Sequence, residues 1–532
     1  MSVSLSIHPF SDSLELYGHP DPSSAYSLSG HVSISLASTS SLFERRRAVR
    51  LLLQSLTITF EGQTELITTE TGYSGMRLCS ITRELAPSDP IELSNEGQED
   101  SEAPCFWNVI FNIQVPGWLP PSERFGDISE SEEAGTSYAL YATAKFANVF
   151  EPSADQSWLL STLCSSFRSK PRVVSADRCP IFIRRFMPAP SMPSSSTSLF
   201  PLASFANEPL ANLPEECPDS SSIPLNVLSK IQVVASVPNH IDVDEGSIPL
   251  TLRLRARDLP EDVAARLRLT KFTADVEQTE KFRISPSSEY TAQFPLPPQS
   301  EQPPYKSLRS CHPMGALYDL GFATDGPRRS VSRSFSVLSP EHSGSFTLSG
   351  GEHVFSESDR GDGSLSSWWS IQTEVPLGMS DEDKTKKHWG GPRRLRPTAQ
   401  TPLFDVRHKL HLVLAYTYDL DQNQAKPKRA EARVKFCIPL DFVRVEPQAA
   451  LYTPPLSPAS SVSSVCSLTT SLSMTSIPYT STLPPYSQLY DCNGERKIDY
   501  STPLPLYTPS PVSPFFGDGD DIPPAGSIKD AD

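Results

Sequence analysis

The sequence has little that would support chemistry at a metal, a membrane or a nucleic acid. Its 9 cysteines include no Cys-x-x-Cys pair, and none of Cys79, Cys105, Cys164, Cys179 and Cys437 has a histidine nearby at ligand spacing. Scattered thiols argue against structural zinc and suit a reducing compartment. No run of about 18 apolar residues occurs, so no membrane-spanning helix is expected. The opening stretch "MSVSLSIHPFSDSLELYGH" has neither a basic segment nor an unbroken apolar one, so no secretory leader is expected. Basic residues are in deficit, 46 Lys+Arg against 62 Asp+Glu for a net charge of -16, which speaks against general nucleic-acid binding. No phosphate-cradling loop, Ser-His-Asp grouping or acid/base pair follows from spacing. The expectation is a soluble, intracellular, non-catalytic chain with no metal and no cofactor.

What is present is proline and short strands. The 52 prolines and a hydrophobic content of 38% in 532 residues leave room for folded cores but indicate that part of the length is unstructured. In "YSLSGHVSISL", Tyr26, Leu28, Val32, Ile34 and Leu36 share one parity, the period of a half-buried strand. In "AVRLLLQSLTITFEG" the apolar parity changes between Leu53 and Leu56, which predicts a bulge near Gln54. "NVIFNIQVPG" and "SYALYATAKF" alternate in the same way.

A second block begins after a Pro/Ser/Thr-rich stretch. "IPLTLRLRAR" places Ile248, Leu250, Leu252 and Leu254 on one face and Thr251, Arg253, Arg255 and Arg257 on the other. "HKLHLVLAYTY" and "ARVKFCIPL" turn Leu410, Leu412, Leu414, Val434, Phe436 and Ile438 inward. The expected fold is all-β: two antiparallel β-sandwiches in tandem, at residues 1–186 and 223–446, joined by a linker at 187–222. Residues of about 286–400, rich in Ser, Gly, Pro and charge, are expected to be a mobile insertion holding one short strand. Residues 447–532 are expected to be a disordered tail.

The order of these segments resembles the arrestin fold, and specifically the fungal arrestin-related trafficking adaptors. In the first block the resemblance is carried by "LELYG", "YSLSGHVSISL", "VRLLLQSLTITFEG", "GTSYALYATAKF", "CPIFIRRF" and above all "FWNVIFNIQVPGWLPPS", which follows the family pattern from Trp107 to Ser122. In the second block "IDVDEGSIPLTLRLRA", "LRLTKFTADVEQTEKFR" and "FDVRHKLHLVLAYTY" are similar to the family's later strands. The resemblance implies two arrestin-like sandwiches and an adaptor role. The long insertion departs from compact visual arrestins and leaves the strand order of the second sandwich open.

The tail carries two Leu-Pro-x-Tyr peptides, Leu483-Pro484-Pro485-Tyr486 and Leu504-Pro505-Leu506-Tyr507, with their tyrosines 21 positions apart. Such peptides are ligands of WW domains: polyproline II backbone offers its ring faces to an aromatic groove at little ordering cost, and the tyrosine fills a second pocket. The resemblance implies that they recruit a WW-domain HECT ubiquitin ligase. Pro303-Pro304-Tyr305 lacks the preceding leucine and the spacing, and is set aside.

"GPRRSVSRSFSVLSP" places Arg329 and Arg333 three residues before Ser332 and Ser336, as basic-directed kinases require, and a phosphate there could recruit a phosphoserine-binding protein. The alternative is a solvated basic loop. Ser457, Thr508 and Ser513 precede prolines and are candidate proline-directed sites, a pattern that a Pro/Ser-rich tail also produces by chance. Arg45, Arg46, Arg47 and Arg50, with Arg253 and Arg255, are candidate contacts for anionic headgroups or acidic cargo tails, or else solvated faces. His31, His408 and His411 are expected to face water or cap strands.

The functional expectation is an adaptor that brings the ligase to cytosolic segments of plasma-membrane transporters or receptors and promotes their ubiquitination and endocytosis. Its place would be the cytoplasm, peripheral at the plasma membrane and endosomes. The alternatives are a sorting or coat subunit of the same fold, an enzyme carried on a β-sandwich, and a signalling scaffold without ligase recruitment.

Overall fold

A computed structural model describes residues 2–37, 50–98, 103–125, 134–148, 172–190, 198–207, 223–321, 326–339, 341–342, 344–348, 368–378, 390–420 and 429–446. The first half consists of β1 (Ser2–Pro9), β2 (Ser13–Tyr17), β3 (Ala25–Ala37), β4 (Arg50–Thr68), β5 (Gly72–Glu84), β6 (Ile91–Ser94), β7 (Cys105–Pro116), β8 (Glu123–Arg124), β9 (Gly135–Asn148), β10 (Arg172–Ser175) and β11 (Cys179–Phe186). One sheet has the order β1-β3-β7. The other runs β2-β11-β9-β4-β5, with β6 on β4 and both β8 and β10 on β9. Pairing is antiparallel except between β2 and β11.

The two-residue period explains the packing. Val32 and Ile34 of β3 and Phe111 and Ile113 of β7 meet Leu56, Ile58 and Phe60 of β4 and Leu140 and Ala142 of β9 in one apolar core. Each fully buried aliphatic or aromatic side chain contributes about 1.5–3 kcal/mol. The register of β4 against β9 shifts between Leu53 and Ser55, leaving Gln54 exposed, so the expected bulge is there.

The second half comprises β12 (Leu202–Asn207), α1 (Leu225–Leu228), β13 (Ile231–Pro238), β14 (Ile241–Asp242), β15 (Ser247–Ala256), α2 (Glu261–Ala264) and β16 (Leu267–Arg283). It continues with α3 (Ser288–Gln293), a 3-10 turn at Gln299–Glu301, α4 (Pro313–Asp319), β17 (Ser330–Ser336), β18 (Ser345–Thr347) and β19 (Trp369–Pro376). It closes with β20 (Ala399–Gln400), β21 (Phe404–Asp419), β22 (Arg429–Leu440) and β23 (Phe442–Val443). One sheet is β12-β13-β15-β19. The other is β17-β16-β21-β20, with β18 on β16 and β22 on β21, and β14 pairs with β23 in parallel. Leu250, Leu252, Leu254, Leu410, Leu412, Leu414, Val434, Phe436 and Ile438 all join its core, as their parity requires. The chain is therefore all-β, with two antiparallel sandwiches in series.

Two segments differ from expectation. Leu202–Asn207, within the expected linker, is β12, an edge strand paired along β13. The stretch expected to be a mobile insertion with one short strand supplies β17, β18, β19 and β20, together with α3, α4 and a strap along the first half. The reason is legible in β17: Val331, Arg333 and Phe335 point inward while Ser330, Ser332, Ser334 and Ser336 are exposed. The serine content disguises a two-residue period.

Candidate functional site

The polar groups of this molecule concentrate where strap segments cross the two halves. On the first half, β5 is the outer strand of its sheet, and an open edge must be covered or blunted. Residues 284–321 and 326–328 cover it. The Gln302 side chain takes the place of a strand residue: its Oε1 accepts the Arg77 N–H at 2.8 Å and its Nε2 donates to the Arg77 carbonyl at 2.9 Å. The fully buried Arg77 guanidinium donates to Glu61 at 3.1 Å and to the carbonyls of Glu301 and Ser307, the latter at 2.7 Å. Glu61 also receives Arg309 at 3.1 Å. Glu65 accepts from the Tyr73 hydroxyl at 2.8 Å and the His312 N–H at 2.9 Å, yet burial still pushes its carboxyl above the usual range. Apolar residues of the strap enter the first core, where Phe294 stacks on Trp118 at 5.5 Å.

The second polar centre is a carboxylate. Glu280 of β16 is completely buried and lies directly across from Arg333 of β17. Arg333 donates to it at 2.7 Å through Nε, and Arg396 donates through its own Nε at 3.1 Å. Arg396 also reaches Glu123 of β8, which Arg394 contacts at 2.9 Å. One run, residues 390–398, thus bonds both sandwiches by charge. Beside it lies an aromatic plug in which Phe404 of β21 packs on Phe125 from the first half at 4.9 Å and on Phe282 of β16 at 4.8 Å.

Next to Glu280, Gln278 and His408 form a buried relay. The Phe442 N–H donates to the Thr398 hydroxyl, leaving that hydroxyl to donate to His408 Nδ1 at 3.0 Å. His408 Nε2 then donates to Gln278 at 3.1 Å. The network thus assigns the proton to Nε2 of a neutral ring, and burial lowers the His408 pKa to about 3. This corrects the expectation that His408 faces water or caps a strand. Its parity, shared with Leu410 and Leu412, was the signal that it points inward.

Between the halves lies a cavity of about 490 Å³, lined among others by Trp118, Arg185, Phe294, Arg407, Phe442 and Arg444. Arg185 is engaged by its surroundings, donating to the carbonyls of Gly18 at 3.0 Å, Gly117 at 2.6 Å and Leu119 at 2.9 Å. Burial lowers its pKa. These polar centres hold the halves to strap segments; apart from them, on the outward face of β16, β21 and β22, the Cys437 Sγ lies 3.1 Å from His411 Nδ1, and His411 Nε2 lies 2.7 Å from Glu277.

The residues singled out from sequence fall differently. Leu483, Pro484, Pro485, Tyr486, Leu504, Pro505, Leu506, Tyr507, Ser457, Thr508, Ser513, Arg45, Arg46 and Arg47 lie outside the described residues. Arg50 pairs with Glu92. Arg253 projects outward from β15, while Arg255 bonds Gln232 at 2.7 Å and lies 4.3 Å over the Trp368 ring. Ser332 and Ser336 are exposed on β17, and Ser336 bonds Asp275 at 2.6 Å. Arg333, read as a kinase determinant on a loop, is instead a buried partner of Glu280 in a paired strand. His31 stacks on His8 at 5.0 Å, and His411 bonds Glu277 at 2.7 Å. No described helix is long and apolar enough to cross a membrane.

No protein-family model matches the chain, and no curated protein sequence matches it.

Proposed function

We propose that the chain is a non-catalytic adaptor, resembling arrestin-related trafficking adaptors, that delivers a WW-domain HECT ubiquitin ligase to the cytosolic face of a membrane transporter or receptor. The observation that carries this reading is the pair of Leu-Pro-x-Tyr peptides ending at Tyr486 and Tyr507, placed after two antiparallel sandwiches. The sandwiches supply broad strand surfaces on which a client segment can dock. The two peptides supply paired weak contacts on one chain, and pairing raises local concentration enough to strengthen binding by about 10²–10⁴ over either contact alone. The mechanism is proximity: the adaptor raises the ligase concentration beside client lysines and performs no bond chemistry itself.

The test is capture of a ligase fragment with tandem WW domains by the full chain. Tyr486→Ala or Tyr507→Ala alone weakens capture, and the double variant abolishes it. Undiminished capture by the double variant removes the ligase-recruiting role.

A further inference from the structure

Three residues far apart in sequence converge at one edge of the waist between the sandwiches. A ligand atom from each of His19, His240 and Asp441 lies within 4.8 Å of the others. His19 belongs to the first half, in the turn after β2. His240 and Asp441 belong to the second, immediately before β14 and β23.

The backbone under each is fixed. Gly18 adopts φ +76°, a left-handed conformation that turns the chain there. Its N–H donates to the Phe186 carbonyl at 2.9 Å, and its own carbonyl receives Arg185. Pro20 restricts the backbone of His19 from the other side. Ile241 pairs with Phe442, and the Ile241 N–H donates to the Asp441 carbonyl at 2.9 Å, so His240 and Asp441 enter that ladder side by side. Their side chains already meet, with His240 Nδ1 2.8 Å from Asp441 Oδ2. Phe200 packs edge-on against the His240 ring at 5.3 Å, and the His19 ring lies 5.6 Å from it.

We propose that His19, His240 and Asp441 form a zinc site that clips the two sandwiches together. Two imidazole nitrogens and one carboxylate oxygen are a donor set that zinc takes in tetrahedral geometry, with a fourth position left for water. Bonds of about 2.1 Å put tetrahedral ligands about 3.4 Å apart. The His240–Asp441 pair therefore opens slightly on binding, and the exposed His19 side chain swings in. Neither sandwich holds the complete set, so the metal is bound only where both halves are in place. The site goes beyond the adaptor role and does not depend on it.

The experiment is calorimetric titration of the full chain with zinc chloride, alongside His19→Ala, His240→Ala and Asp441→Ala. Nine cysteines offer competing ligands, so the readout is the difference between wild type and variants. The wild type takes up one more zinc than each variant, with affinity at this site reduced at least about 100-fold by any one substitution. A cobalt difference spectrum between wild type and variant shows tetrahedral bands without a thiolate charge-transfer band. His19 is exposed, so its replacement reads the site without disturbing the fold. Equal zinc uptake by wild type and His19→Ala overturns the bridging site, as does a thiolate band in the difference spectrum.

Discussion

The two halves solve the same problem with opposite charges. In the first, a buried cation, Arg77, reaches out to backbone carbonyls of the strap and to Glu61, which Arg309 also serves. In the second, a buried anion, Glu280, is held between the guanidinium groups of Arg333 and Arg396. A cation that grips carbonyls asks little of the strap's side chains, because every residue has a carbonyl. An anion held by two arginines asks for both of them by identity. The first seam therefore tolerates substitution along the strap better than the second tolerates it at residues 333 and 396.

The largest expected effect separates the seams directly. Glu280→Leu removes the anion that Arg333 and Arg396 share, leaving Arg396 with Glu123 and the buried Arg333 with the Gly391 carbonyl, and destabilises the chain by about 3–5 kcal/mol. Arg77→Leu leaves Glu61 with Arg309 and strands only carbonyl acceptors, at a cost of about 1–3 kcal/mol. Urea unfolding of both variants gives the order, and the reverse order breaks the comparison.

The next effect sharpens it by pH. The native His408 pKa of about 3 lies below its ordinary value near 6.5, so the native state binds fewer protons than the unfolded chain in that interval. Stability from this group is intact above about pH 6.5 and falls by about 1.4 kcal/mol per unit as pH drops toward 3. Burial raises the carboxyls of Glu65 in the first half and Asp405 in the second, and these act in the opposite sense. His408→Gln flattens the stability profile between pH 6.5 and 5, a drop of about 2 kcal/mol in the wild type, and an unchanged slope refutes the buried neutral ring.

The smallest effect concerns the strap itself. Gln302→Ala removes both side-chain bonds to the Arg77 main chain and costs about 1 kcal/mol, with faster amide exchange at Arg77. Exchange that stays at the wild-type rate denies the side chain its role as a stand-in strand residue.

The sandwiches were legible because burial on one face of a strand imposes a period of two, and that period survives in Val32, Ile34, Leu250, Leu252, Leu410 and Leu412. The bulge at Gln54 was legible for the same reason. The second seam left a trace that composition hid: in "LRLTKFTADVEQTEKFR", Gln278 and Glu280 continue the inward parity of Val276 and end at Phe282. The first seam left none, because the strap meets β5 through single side chains and carbonyls with no repeating pattern. His19, His240 and Asp441 carry no spacing signal either, since only the fold brings them together. The Leu-Pro-x-Tyr peptides are legible for the opposite reason: a linear peptide carries its recognition chemistry in consecutive residues.

The groups that close the β5 edge lie 224 to 230 residues downstream of Arg77. The first sandwich is complete only at Phe186, the end of β11, so at a ribosomal pace of about 5–20 residues per second it waits roughly 6–24 s for Ser307 with that edge unprotected. During that interval it is a template for pairing with a neighbouring chain, so production of this protein depends on whatever shields the emerging polypeptide until the strap arrives.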